Sequence, residues 1–318
     1  MSSLQARVRT LRWEADGVVG IELVPLAGAH FPAFDAGSHV DLHLGNGMVR
    51  SYSLCNDPAE RDRYVLGVLN DRASRGGSRW VHEQLRVGAV IDIGAPRNNF
   101  VLDETAAHSV LLAGGIGITP ILCMARRLKA LGRSYEVICL ARSRAQAAFR
   151  EDLQALGADV TWHFDDERGG PPDLHALLAA RPAGHATHYY ACGPAPMLDA
   201  FERQCAALGY ANVHIERFAA VEVAAAADAR TTYLLELRQS GKRIEVTSGM
   251  SLLQAVRAAG VSPLTSCEDG ICGACETRVL EGLPDHRDSV LSPAEHETGH
   301  TMMICVGGCR SERLVLDL

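Results

Sequence analysis

Ser109-Val110-Leu111-Leu112-Ala113-Gly114-Gly115-Ile116-Gly117-Ile118-Thr119-Pro120 lies a third of the way along a chain of 318 residues. Its first five residues are a continuous apolar run, the pattern of a strand covered on both faces. Glycines follow at once, and then a helical segment runs over 120–131 and ends at Gly132. Thr119 is placed to cap that helix, and Pro120 suits its first turn. Toward the C-terminus, 137–140, 160–164, 189–192 and 213–215 read as further strands, with helical stretches such as 196–208 between them. Strands that alternate with helices predict a parallel, doubly wound sheet, here an α/β domain over 105–218.

The glycines allow the backbone to approach a pyrophosphate, which then lies at a helix N-terminus. The spacing is G-x-G-x-x-P rather than G-x-G-x-x-G, so a tight turn without a ligand is the competing reading. A second segment, Cys192-Gly193-Pro194-Ala195-Pro196-Met197, repeats the order of strand, turn and helix. Two such turns at the carboxyl ends of parallel strands mark the usual ligand crevice. Cys192 reads either as an inert core thiol or as a wall of the reaction site.

Before residue 105 the pattern is short alternating runs broken by Gly, Pro and Asn, as in Val40-Asp41-Leu42-His43-Leu44 followed by Gly45-Asn46-Gly47. Runs at 49–54 and 64–69 follow, and together they predict an antiparallel β-barrel or sandwich over 1–104. Arg50-Ser51-Tyr52-Ser53-Leu54 offers an anion-binding side chain, an aromatic ring and hydroxyls. Arg75-Gly76-Gly77-Ser78 precedes a helix expected at 79–85, where glycines and a hydroxyl suit a phosphate. The competing reading of Arg50 and Tyr52 is an ordinary half-buried strand.

Residues 219–230 are alanine-rich without amphipathic period and read as a linker, with a helix as the alternative. Beyond it, 231–318 reads as a small α+β unit, with a hairpin around Ser240-Gly241, a helix over 251–259 and a last strand at 314–316. Within it, Cys267-Glu268-Asp269-Gly270-Ile271-Cys272-Gly273-Ala274-Cys275 has the spacing C-x4-C-x2-C, and Cys305 follows after 29 intervening residues. That is the plant-type [2Fe–2S] spacing. Gly270 and Gly273 free the backbone to wrap closely around a cluster. Alternatives are a four-cysteine zinc site, disulfides, or Cys309 in place of Cys305 as the fourth ligand.

Composition bounds the rest. Hydrophobic residues are 47% and charged residues 22%, the profile of a globular chain. A formal net charge of −7 argues against nucleic acid as the main partner. No apolar run approaches the ~20 residues of a membrane span, and Met1-Ser2-Ser3-Leu4 opens without the apolar core of a signal peptide. The expectation is a cytoplasmic protein with reduced or metal-bound cysteines, and a monomer.

The order Arg-Ser-Tyr-Ser-Leu, Gly-Gly-Ile-Gly-Ile-Thr-Pro, Cys-Gly-Pro and C-x4-C-x2-C resembles the phthalate dioxygenase reductase family over essentially the whole chain. Vanillate O-demethylase reductases are similar. The resemblance implies an FMN-binding barrel, an NADH-binding α/β domain and a β-grasp ferredoxin domain. It also implies that electrons enter from NADH, pass FMN and the [2Fe–2S] cluster, and leave to a Rieske-type oxygenase. On this resemblance Arg50, Ser51, Gly76, Gly77 and Ser78 hold the FMN phosphate region, Tyr52 lies along the ring, and Ser53 sits near its N5 atom. Gly115, Gly117 and Thr119 contact the nicotinamide cofactor, with Cys192, Gly193 and Pro194 near the nicotinamide. Phe218 stands beside the flavin, and Cys267, Cys272, Cys275 and Cys305 hold the cluster. Ser53, Cys192 and Phe218 frame the hydride path.

Arg142-Ser143-Arg144 after the second strand of the sheet suits a 2′-phosphate, hence NADPH, whereas Asp165-Asp166-Glu167 after the third would repel one. Asp166 is taken as a ribose ligand and NADH as the preferred nucleotide. The competing functions are a non-enzymatic iron–sulfur or zinc protein, and an FAD-dependent NAD(P)H:ferredoxin-type reductase.

Overall fold

A computed structural model describes residues 4–28, 30–72, 75–182, 184, 186–219 and 224–318. The chain divides into two compact units, Met1–Phe218 and Ala219–Leu318.

The first unit opens with β1 (Leu4–Ala15), β2 (Val18–Pro25), β3 (Ser38–His43), β4 (Val49–Ser53), β5 (Tyr64–Leu69), α1 (Gly77–Gln84), β6 (Val90–Ile93) and β7 (Arg97–Asn98). The strands are antiparallel in the order β4-β3-β6-β1-β2-β5, with β7 on β3. A bridge between Leu54 and Leu66 joins the two ends, so the sheet curls into a barrel. Closure removes the exposed edges of an open sheet. Tyr64 anchors the interior, stacked on Phe31 with ring centroids 4.1 Å apart. β1 carries irregular register between Val8 and Thr10 and between Trp13 and Ala15. Those breaks erase the period-2 signal, which is why its 12 residues do not read as one strand from sequence. α1 starts at Gly77, so Gly77 and Ser78 form its first turn rather than preceding a helix at Arg79.

The same unit continues with β8 (His108–Gly114), α2 (Ile118–Ala130), β9 (Tyr135–Ala141), α3 (Arg150–Leu156), β10 (Val160–Phe164), α4 (Asp165–Arg168), α5 (Leu174–Ala179), β11 (Thr187–Cys192), α6 (Ala195–Ala207) and β12 (Val213–Glu216). All five strands are parallel, in the order β10-β9-β8-β11-β12. The strand order reverses between β8 and β11, which places the crevice at their carboxyl ends. One face packs Leu111, Ala113, Tyr190 and Cys192 with Ile121 and Met124 of α2 and with the barrel core. The other packs Val110, Leu112, Tyr189 and Ala191 with Leu178 of α5 and Phe201 of α6. One expectation is corrected here: Thr119 does not cap α2. A single 3₁₀ turn over Gly115–Gly117 runs straight into the helix, Gly117 takes the N-cap without a side-chain bond, and Thr119 Oγ1 donates to the Ile116 carbonyl at 3.1 Å.

The barrel and the parallel sheet are joined by charge-assisted bonds. Arg126 donates to the Cys55 carbonyl at 2.6 Å and to Asp152 at 2.5 Å, and Asp152 also accepts from Arg12 of β1 at 2.7 Å. Such bonds are shorter and stronger than neutral ones, and they fix the relative placement of the two sheets.

The second unit contains β13 (Tyr233–Leu237), β14 (Lys242–Val246), α7 (Leu252–Ala258), β15 (Glu276–Glu281), β16 (Pro284–Asp285), α8 (Pro293–Thr298), β17 (Thr301–Met303), β18 (Gly308–Cys309) and β19 (Arg313–Leu316). Its main sheet runs β14-β13-β19-β15-β17, with β13 and β19 parallel in the middle. Leu252, Leu253 and Val256 of α7 pack on Leu235, Leu237, Leu314 and Leu316. Residues 220–223 of the alanine-rich segment lie outside the described residues, and 224–230 contain no helix. Alanine favours a helix, but an isolated run this short cannot repay helix nucleation.

Candidate active site

Three strand ends meet in the first unit. Ser53 ends β4, Cys192 ends β11 and Glu216 ends β12. Cys192 and Glu216 are register partners on neighbouring parallel strands. Across from them, Ser53 Oγ donates to Glu216 Oε2 at 3.3 Å. Burial pushes the Glu216 carboxyl up to about 8, and the Ser53 bond offsets part of that rise. Burial also pushes the Cys192 thiol well above its ordinary range, and the neighbouring Glu216 adds to the effect. A reactive thiolate needs the opposite environment, so Cys192 stays a neutral thiol rather than a nucleophile. Glu216 was not among the residues singled out from sequence. Its signal was an acid at the carboxyl end of a parallel strand, two residues before Phe218.

Arg217 pins this segment by donating to Asp199 and Glu202 of α6, both at 2.7 Å. Phe218 follows with 39% of its surface exposed.

The barrel supplies a second cluster. Ser51 Oγ donates to Asp41 Oδ1 at 2.7 Å, and Asp41 is held by both terminal nitrogens of Arg97 at 2.7 and 3.0 Å. Tyr52 is half-buried, and desolvation pushes its phenol up to about 12, with Arg50 opposing. Gly76 is in the left-handed region at φ 110° and caps α1 without a side-chain bond. A Cβ on Gly77 would lie 2.7 Å from Cγ of Arg50 and 3.0 Å from its Nε, so only glycine lets Arg50 lie across the helix start. Ser78 Oγ accepts from the Asp71 amide at 3.3 Å and anchors the loop. Arg50, Gly76 and Gly77 thus converge on one helix N-terminus, with a guanidinium beside amides, as an anionic phosphate requires.

The two glycine turns pack against each other. A Cβ on Gly117 would stand 2.1 Å from the Cys192 carbonyl oxygen and 2.7 Å from the Gly193 nitrogen. A Cβ on Gly193 would stand 3.0 Å from the Gly114 Cα, and one on Gly114 would stand 2.9 Å from Pro194. These three glycines therefore serve the contact between turns. Gly115, at φ 53° with nothing within 4 Å of its Cβ position, is the glycine that faces open space. Thr119 is buried, and its methyl packs where a side chain on Gly67 of the barrel would be. Farther along the sheet, Arg144 pairs with Glu167 at 2.5 Å and lies over the Phe164 ring, while the Asp166 amide donates to the Arg142 carbonyl at 3.1 Å.

In the second unit, Cys267, Cys272 and Cys275 are buried in one loop and Cys305 is half-buried. The sulfurs converge as two neighbouring pairs. The Cys267 thiol is raised chiefly by Cys272 beside it, and Cys275 is lowered chiefly by a bond from Cys305. The Asp269 amide donates to Cys267 Sγ at 3.3 Å, as expected of a loop whose amides support thiolates. Gly270 and Gly273 both sit at φ 71°, which a side chain disfavours. Cys309 lies apart in the apolar core and its Sγ donates to the Ser311 carbonyl at 3.1 Å, so Cys305 rather than Cys309 completes the set. No disulfide joins the cysteines among the described residues. Two pairs of thiolates match the needs of two tetrahedral irons.

The model for a 2Fe–2S iron-sulfur cluster binding domain matches residues 235–308. The phenoxybenzoate dioxygenase subunit beta of Ectopseudomonas oleovorans is 46% identical over 318 residues, covering 100% of this chain and 98% of that protein. A solved phthalate dioxygenase reductase, described as a modular structure for electron transfer from pyridine nucleotides to [2Fe–2S], is 36% identical. The match covers 100% of this chain and 98% of that one, with a TM-score of 0.73. The chain belongs to the phthalate dioxygenase reductase family. It is therefore a flavin and iron–sulfur oxidoreductase, the reductase component of an oxygenase system, and not a stand-alone zinc protein. An intact type IV self-sufficient cytochrome P450 monooxygenase contains a similar arrangement, at 39% identity and a TM-score of 0.91. There this reductase-family chain spans only 41% of the larger protein. None of the described helices is long and apolar enough to cross a membrane.

Proposed function

We propose that this reductase binds FMN and NADH in its first unit and delivers electrons singly, through a [2Fe–2S] cluster held by Cys267, Cys272, Cys275 and Cys305, to a Rieske-type oxygenase. The observation that carries the reading is the 3.3 Å bond between Ser53 of the barrel and Glu216 of the parallel sheet. It brings the flavin-type and nucleotide-type sheets together at one point, where a hydride donor and acceptor must meet. Bound FMN supplies the exchange between paired and single electrons.

The chain's own residues do the rest. Arg50, Ser51, Gly76, Gly77 and Ser78 hold the phosphate end, and Tyr52 and Phe218 flank the ring. Gly115, Gly117, Thr119, Gly193 and Pro194 shape the nucleotide crevice, and the buried Cys192 excludes water beside it. Oxidation of NADH to NAD⁺ releases two electrons and one proton. With its carboxyl raised to about 8, Glu216 is mostly protonated at neutral pH, so it gives a proton to the reaction site by way of Ser53 Oγ and, once ionised, takes back the proton released as the electrons leave. NADH is favoured over NADPH because Glu167 already engages Arg144 and Asp166 stands close by to accept ribose hydroxyls. In this reading the protein works as a cytoplasmic monomer.

Anaerobic mixing with NADH tests the reading. The wild type bleaches its flavin and reduces a one-electron protein acceptor. Cys272→Ser bleaches its flavin and leaves the acceptor oxidised. Equal reduction of the acceptor by both proteins refutes the assigned route.

A further inference from the structure

We propose that His286, Asp288 and His296 of the second unit form a binding site for a divalent transition cation of the zinc type, separate from the four cysteines. One donor atom from each lies within 4.8 Å of the other two.

Asp288 is the centre of the group. Its side chain is 1% exposed. Oδ2 accepts the amides of Val290 at 3.1 Å and Leu291 at 2.9 Å, which locks the carboxylate in one orientation. Oδ1 is buried with no hydrogen-bond partner. His286 is 9% exposed, and neither of its ring nitrogens has a hydrogen-bond partner. Buried polar atoms left unpaired are costly, and one site that holds three of them calls for an occupant.

Both histidines face the Asp288 carboxylate: His286 Nδ1 lies 3.8 Å from Oδ1, and His296 Nε2, on α8, lies 3.4 Å from Oδ1 and is hydrogen-bonded to Oδ2 at 3.4 Å. The two rings are stacked with centroids 4.4 Å apart and planes within 15°. Tetrahedral ligands at zinc bond lengths stand about 3.3 Å apart, so a modest splaying of the rings brings all three donors onto one ion. The neighbouring cation does not fill the role, since Arg287 turns to Asp285 Oδ2 at 2.7 Å through Nε. Two imidazoles and one carboxylate suit zinc, copper or nickel, and disfavour magnesium and calcium, which take oxygen ligands. His296 is 30% exposed, which leaves an entry path and room for water as a fourth ligand.

The placement has a consequence for the cysteine loop. The Ser289 amide donates to the Gly270 carbonyl at 2.9 Å, and a Cβ on Gly270 would stand 3.2 Å from the Asp288 Cα. The segment that carries the site is thus packed on the loop that carries three of the cysteines.

The test is calorimetric titration of zinc into the full-length, untagged protein loaded with flavin and iron. Asp288 also braces its own turn, so the variants used are His296→Gln and His286→Asn, with visible circular dichroism of the cluster as a fold control. The expected result is one zinc per wild-type chain, affinity at least about tenfold weaker in each variant, and no binding of magnesium. No zinc bound by the wild type, equal zinc affinity in the variants, or magnesium bound as well as zinc overturns the proposal.

Discussion

Cys267, Cys272 and Cys275 lie within nine residues of one loop, whereas Ser53 and Glu216 stand 163 positions apart and meet only because two sheets pack together. The loop is shaped by local backbone geometry, with glycines at positive φ. The junction is shaped by topology, with each residue at the end of a different strand. A site of the first kind fails through its ligands. A site of the second kind fails through anything that shifts the sheets. The chain pairs them, so removal of either should leave the other half of the electron path working.

The most severe expected loss separates the two halves. Cys272→Ser should lower electron delivery to a one-electron protein acceptor by about a thousandfold or more, to the level of unassisted leakage, because the proposed route makes Cys272 a cluster ligand. Flavin reduction by NADH, read by stopped-flow absorbance, should stay within about twofold of wild type. A parallel loss of flavin reduction would break the comparison.

Glu216→Gln probes the junction. It removes the carboxyl to which the proposal assigns the proton and should slow steady-state turnover about a hundredfold. It should also change the pH dependence of stability. The Glu216 carboxyl is raised from 4.5 to about 8, so its contribution is fully present below pH 4.5 and is lost as pH rises through about 8. Thermal unfolding should therefore show the wild type losing stability between about pH 4.5 and 8 and the variant losing less. Identical slopes would remove Glu216 from its assigned environment.

Gly117→Ala sharpens the point about topology. The backbone angle at Gly117 is an ordinary φ of −60°, but the new Cβ would collide with the Cys192 carbonyl at 2.1 Å. Denaturant unfolding should show a loss of about 2–3 kcal/mol in the first unit. The cluster's absorbance should be unaffected. The smallest effect is expected at Arg144, whose guanidinium is already taken by Glu167. Arg144→Ala should change kcat/KM for NADH by less than about threefold, and a large loss would assign Arg144 to the nucleotide.

The same contrast governs what could be read from the chain. The apolar run Ser109–Ala113 gave the buried strand and, with its successors, the parallel sheet, because full burial leaves an unbroken signature in sequence. The C-x4-C-x2-C spacing gave the cluster loop for a similar local reason. β1 escaped because its irregular register interrupts the alternation of side chains. Thr119 was misjudged as a cap because a 3₁₀ turn brings the helix start forward to Ile118. Glu216 escaped because its partner, Ser53, is remote in sequence and only sheet packing makes the pair. The group at His286, Asp288 and His296 escaped likewise, since a stacked ring pair around a carboxylate has no local spacing rule.

The most direct check of the central claim is a titration of the purified protein with NADH in the absence of oxygen, followed by visible absorption and low-temperature paramagnetic resonance on the same samples. The account predicts that flavin bleaching is accompanied by the signal of a reduced [2Fe–2S] cluster, and that Cys272→Ser shows the bleaching alone. A wild-type sample in which the flavin is fully reduced while the cluster stays oxidised would contradict it.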